Sequence, residues 1–199
     1  MSTDIPFDQA RKEASGACEP GVRACLRDFY DVPDRLVVSA EHGRDGAYET
    51  GGDFQATDFL DYAGIDWLVD ARPAIVPVGE RLRPNEPGRR DFSLRLDNGV
   101  DRPCEADRLP AGLSRGLSPE AMLFGWRSAG SLERAWMLDC EALVEAVTFD
   151  EVPVDERATG DGTRAGYITI GALADAGCIL ESWEEPPTPT AEPAPEVSR

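Results

Sequence analysis

Two side chains that often carry chemistry are nearly missing. Lys12 is the single lysine beside nineteen arginines, and His42 is the single histidine. A histidine-rich metal centre is therefore excluded. Any Ser–His–Asp or Cys–His arrangement would depend on His42, in the loop-like run Glu41-His42-Gly43-Arg44-Asp45-Gly46. No window approaches the roughly 18 apolar residues of a membrane-crossing helix. The opening MSTDIPFDQARKEASG has neither the cationic nor the apolar region of a secretory signal. The expectation is a cytoplasmic chain with no membrane partner. C-x-x-C is absent, and Cys18, Cys25, Cys104, Cys140 and Cys178 are scattered and odd in number. That excludes a clustered four-ligand zinc site and a disulfide framework, and points to reduced thiols used as small apolar residues. What remains is enough for a core: 41% of 199 residues are hydrophobic, a supply suited to one domain.

The charge is lopsided. Acidic residues number 38 and basic residues 20, a formal net charge of −18, where about 2–8 is ample for solubility. Self-repulsion on this scale opposes compaction unless concentrated salt screens it, the Debye length being roughly 3 Å at 1 M. Acidity and lysine scarcity together are the composition of a protein that works in high salt, although a GC-rich genome also favours arginine over lysine. Net acidity argues against nucleic-acid binding, yet Arg72, Arg81, Arg83, Arg89, Arg90 and Arg95 face only Glu80, Glu86 and Asp91 within their stretch. Such a strip either binds anions or consists of arginines paired with neighbouring carboxylates.

Periodicity predicts a mixed α/β (α+β) domain over residues 5–183. Helical spacing runs through 7–30 with an interruption near Gly16–Gly21, ended by Pro33. Strands are predicted at Arg35–Ala40, Ile65–Val69, Ala74–Leu82, Asp91–Asp97, Ala121–Trp126, Arg134–Leu138, Tyr167–Ile170 and Cys178–Trp183, with a short helix at Phe54–Tyr62. Asp139 is placed to cap a helix at 140–147, and a short helix at Gly171–Gly177 ends on glycine. Residues 98–118 and 150–163 read as irregular. The four tryptophans fall mostly within strands and read as core. From Glu184 the run EEPPTPTAEPAPEVSR is too proline-rich and too poor in apolar residues to fold, so 184–199 reads as a disordered tail.

The informative stretch is Asp58 to Arg95. Asp61-Tyr62-Ala63-Gly64-Ile65-Asp66 puts an aspartate at the entry of one strand, and Val78-Gly79-Glu80-Arg81-Leu82-Arg83 puts a glutamate on the next. Adjacent strands bring such side chains to about 4.5–5.5 Å between Cβ atoms. Paired carboxylates recruit a hard cation such as Mg²⁺, which activates water and holds a phosphoryl oxygen, and arginines suit the phosphate. Alternatively, Asp66 merely begins a strand and Glu80 pairs with Arg81 or Arg95.

This order of helix, Gly-Ile-Asp strand, short turn and acid-bearing strand resembles the PD-(D/E)XK nuclease fold over residues 53–147. The likeness implies a mixed central sheet flanked by helices, a restriction-endonuclease-like core, with Asp66 and Glu80 as Mg²⁺ ligands and Asp61 or Gln55 in support. It implies Mg²⁺-dependent cleavage of DNA, with Arg81 and Arg83 beside the acids and Arg83, Arg89, Arg90 and Arg95 along the nucleic acid. One position departs from the pattern: the family's lysine, two residues beyond the acid, is Leu82 here. Strand alternation puts Arg81 and Arg83 on the other face from Glu80, and arginine cannot shuttle protons at neutral pH. A non-catalytic module of the same fold, binding nucleic acid or a protein, is the alternative, as is an acidic accessory protein with no anion site.

Overall fold

Residues 5–40, 63–85, 91–97, 104–159 and 163–184 are described by a computed structural model, with side chains from residue 16 onward. The chain opens with α1 (Ile5–Tyr30) and a 3-10 turn at Asp34–Leu36. Then come β1 (Val37–Ser39), β2 (Trp67–Asp70), β3 (Ile75–Pro84), β4 (Asp91–Asp97) and α2 (Glu105–Leu113). β5 (Ala121–Ser128), β6 (Ser131–Asp139), α3 (Cys140–Thr148) and β7 (Asp155–Ala158) follow. β8 (Arg164–Thr169), α4 (Ile170–Asp175) and β9 (Ile179–Glu184) complete an α+β arrangement.

Six strands form a mixed sheet in the order β1-β2-β3-β5-β6-β9, and three form an antiparallel sheet, β4-β8-β7. β3 and β5 run parallel and their sheet neighbours antiparallel. A parallel pair needs a long crossover, and β4 and α2 occupy it. β5 is buried from Ala121 to Trp126, so its alternate residues feed two cores. On one side Ala121 and Leu123 join Val69, Val78, Ala135 and Met137 under Val22, Cys25 and Leu26 of α1. On the other, Met122, Phe124 and Trp126 join Trp136 and Leu138 against Phe92, Ile168, Leu143 and Leu173 of the second sheet and its helices. Phe124 sits 5.4 Å edge-on from Phe92 and 6.0 Å stacked on Trp136.

Four sequence expectations need correction. α1 runs unbroken through Pro20, because Cys18, Val22, Cys25 and Leu26 are buried along one stripe and packing outweighs propensity. Gly21 lets the helix approach closely: a Cβ there would lie 2.9 Å from Leu132 Cβ. Within 98–118, α2 starts on a capping box in which Asp107 accepts the Cys104 N–H, a start without the usual Ser or Thr. Within 150–163, β7 is an exposed edge strand with no apolar alternation to announce it. Glu184, assigned to the tail, is the last residue of β9 and pairs with Arg134. The predicted helix at 54–62 and the tail from 185 lie outside the described residues. No described helix is long and apolar enough to cross a membrane.

Candidate active site

The β2–β3 hairpin sets the geometry. Its register runs from Asp70↔Ile75 to Trp67↔Val78. Asp66, one residue before β2 rather than on it, extends the ladder: its N–H donates to Val78 O at 2.9 Å, and its carbonyl accepts from Ala40 N–H at 2.8 Å. Gly64, with φ of +73°, turns the incoming chain at this point. Asp66 Oδ2 then accepts the backbone N–H of Glu80 at 2.5 Å, in place of a strand carbonyl. Gly79 keeps the corner tight, since a Cβ there would sit 2.9 Å from Gly64 O and 3.3 Å from Pro119 Cγ.

Glu80 lies on the α1 side of the sheet, where its Oε2 accepts the indole N–H of Trp67 at 2.8 Å. Trp67 is buried, and the guanidinium carbon of Arg23 lies 5.5 Å from its ring centroid. Arg23 in turn donates to Val37 O and, at 3.4 Å, to Glu19 Oε1, tying α1 to β1. One further charge, that of Arg127, acts on Cys18 here. Burial pushes the Cys18 thiol upward, Arg127 pulls it down and Glu80 adds to the rise.

The arginine strip divides. Arg81 pairs with Glu105 at the start of α2, and Arg83 donates to Ser93 Oγ of β4, 5.8 Å from the Tyr167 ring centroid. Both therefore turn to the face away from Glu80, as strand alternation anticipates. Arg95 is exposed, and its backbone N–H donates to Glu105 Oε2 at 3.0 Å. Arg89, Arg90, Asp61, Gln55 and His42 lie outside the described residues. Leu82, two beyond Glu80, packs against the apolar core under α1.

The Asp66 carboxylate thus meets the Glu80 main chain, the Glu80 carboxylate meets the Trp67 indole, and Arg81 and Arg83 turn to Glu105 and Ser93. Among the described residues, no three His, Cys, Asp or Glu side chains gather as a metal shell. Two carboxylates are nonetheless a sufficient protein contribution for Mg²⁺, which keeps several waters and takes phosphate oxygens. Asp66 and Glu80 supply the oxygen ligands such a site needs, and each has one carboxylate oxygen fixed by an N–H donor. All five cysteines are buried free thiols. Burial raises every one of them, Cys140 to about 12, so none is a nucleophile at neutral pH.

Sequence reasoning missed Trp67 and Arg23 as companions of Glu80. Nothing in the spacing marks an indole thirteen residues away as its partner. Once Trp67 is opposite Val78, however, the diagonal neighbour on that face is Glu80. No protein-family model matches the chain, and no curated protein or solved structure matches it.

Proposed function

We propose that the chain is a nuclease-like protein with a restriction-endonuclease-like core that cleaves DNA with Mg²⁺ held by Asp66 and Glu80. The observation that carries this reading is the bond from the Glu80 backbone N–H to Asp66 Oδ2, which fixes the Asp66 carboxylate against the strand segment that bears Glu80. Asp66 is aimed by the backbone of β3 and Glu80 by the Trp67 indole, so each carboxylate has one oxygen held by the scaffold. Bound Mg²⁺ supplies an activated water and a Lewis acid for a phosphoryl oxygen. Asp66→Asn tests the assignment, because the amide oxygen still accepts the Glu80 N–H while the charge is gone. At molar KCl the parent cuts DNA only with Mg²⁺, and Asp66→Asn loses that cleavage while keeping its circular dichroism. Equal cutting by Asp66→Asn overturns the proposal.

A second reading rests on Leu82. With a packed leucine where a proton-shuttling lysine is expected, and with Arg81 and Arg83 directed to Glu105 and Ser93, the same fold also suits a non-catalytic module binding nucleic acid or a protein. Mg²⁺-dependent DNA binding by fluorescence anisotropy, with no cleavage over hours, selects it over the first.

A further inference from the structure

The interior around Glu80 contains a feature that the acid pair alone does not require. Trp67 is 3% exposed, and its indole N–H lies 2.8 Å from Glu80 Oε2. The indole is fixed from both sides, by β2 pairing with β1 and β3 and by the Arg23 guanidinium over its ring. A buried indole needs a partner for its N–H, and a backbone carbonyl would serve that need without any carboxylate. Here the partner is one of the two acids at the corner. We infer that Trp67 is a positioning residue for the metal-facing carboxylate of Glu80, its indole N–H holding one oxygen and Arg23 holding the indole.

This inference rests on the acid-pair reading of the site. Hydrogen-bond donors behind a ligand fix its orientation, and removing one typically weakens metal affinity about 10–100-fold. The molecule contains its own control. Trp183 also presents its indole N–H to a carboxylate, Asp28 Oδ2 at 3.4 Å, where β9 meets α1 and far along the sheet from Asp66.

The experiment measures Mg²⁺ binding by titration calorimetry at molar KCl in the parent, Glu80→Gln, Trp67→Phe and Trp183→Phe. It also follows the four indole N–H resonances in ¹H–¹⁵N spectra. Trp67→Phe keeps an aromatic ring and removes the donor. It is expected to weaken Mg²⁺ binding by about ten-fold, and Trp183→Phe to leave it unchanged. In the parent, Mg²⁺ is expected to displace the Trp67 indole resonance and leave those of Trp126, Trp136 and Trp183 in place. Glu80→Gln abolishes that displacement. The resonance needs no variant of Trp67, so it decides the matter even if Trp67→Phe does not fold. If Glu80→Gln loses Mg²⁺ while Trp67→Phe binds like the parent, or the Trp67 resonance ignores Mg²⁺, the positioning role is overturned and the acid pair stands. A parent that binds no Mg²⁺ overturns both.

Discussion

The six-stranded sheet has two very different sides. Among the described residues, one is covered by α1, over small and branched residues such as Val69, Val78, Leu123 and Ala135. The other lies beneath a second sheet and three helices, over the rings of Phe92, Phe124, Trp126 and Trp136. The charged residues of β3 divide along the same line. Arg81 and Arg83 enter the thickly covered side and meet structural partners, Glu105 and Ser93. Glu80 goes to the helix side, where the Trp67 indole donates to it. On the thickly covered side, partly buried polar groups are met by partners in the scaffold. Under the proposed function, the Glu80 ligand lies on the α1 side and the aromatic cluster on the other.

The strongest way to break this contrast is Phe124→Ala. It empties the centre of the aromatic side, and truncating a fully buried phenylalanine costs about 3–5 kcal/mol. Urea unfolding at molar KCl should show that loss, with Mg²⁺ binding unchanged in the fraction that remains folded. A cost near zero would mean that the ring cluster does not hold the two sheets together. Gly21→Ala probes the helix side. Its new methyl meets Leu132 Cβ at 2.9 Å, and overpacking of this kind costs about 1–3 kcal/mol. A stability gain of the size usual for Gly→Ala within a helix would show that α1 stands further from the sheet than this contact implies.

The smallest effect is pH-dependent and belongs to the thickly covered side. Burial, helped by the Asp139 and Glu105 charges, holds the Cys140 proton up to about 12, against an ordinary thiol value of 9.0. Over that window the unfolded chain binds fewer protons than the folded one. Stability is therefore fully present below the ordinary value and declines as pH rises towards the upper one. Urea midpoints at about pH 8 and about pH 10.5 should differ in that direction, and Cys140→Ala should reduce the difference. A midpoint that rises with pH in the parent, or is unaffected by the substitution, contradicts the burial argument.

Most strands were legible because alternation and apolar runs are local signals. β3, β4, β5, β6, β8 and β9 fall within a few residues of where the sequence puts them. The Asp139 cap was legible too: its Oδ1 accepts the Glu141 and Ala142 N–H groups. What could not be read was long-range. Nothing local says that β4 leaves the main sheet to pair with β8. The unbroken α1 depends on Leu132, more than a hundred residues downstream, accepting Gly21. Of the candidate site, the opposed direction of Arg81 and Arg83 follows from strand alternation. Trp67 and Arg23 required the register, because an indole becomes a carboxylate's partner only once two strands are aligned.

The oxygen of Asp66 that takes the Glu80 amide stands where a neighbouring strand would normally supply a carbonyl. In the proposed reading, scaffold and metal ligation therefore share one atom, and a substitution there will disturb them in proportions set by the replacement. A survey scoring only melting would file Asp66 under architecture, and one scoring only turnover would file it under chemistry. Exchanging it for asparagine separates the two, since the amide keeps the seam closed while discarding the charge.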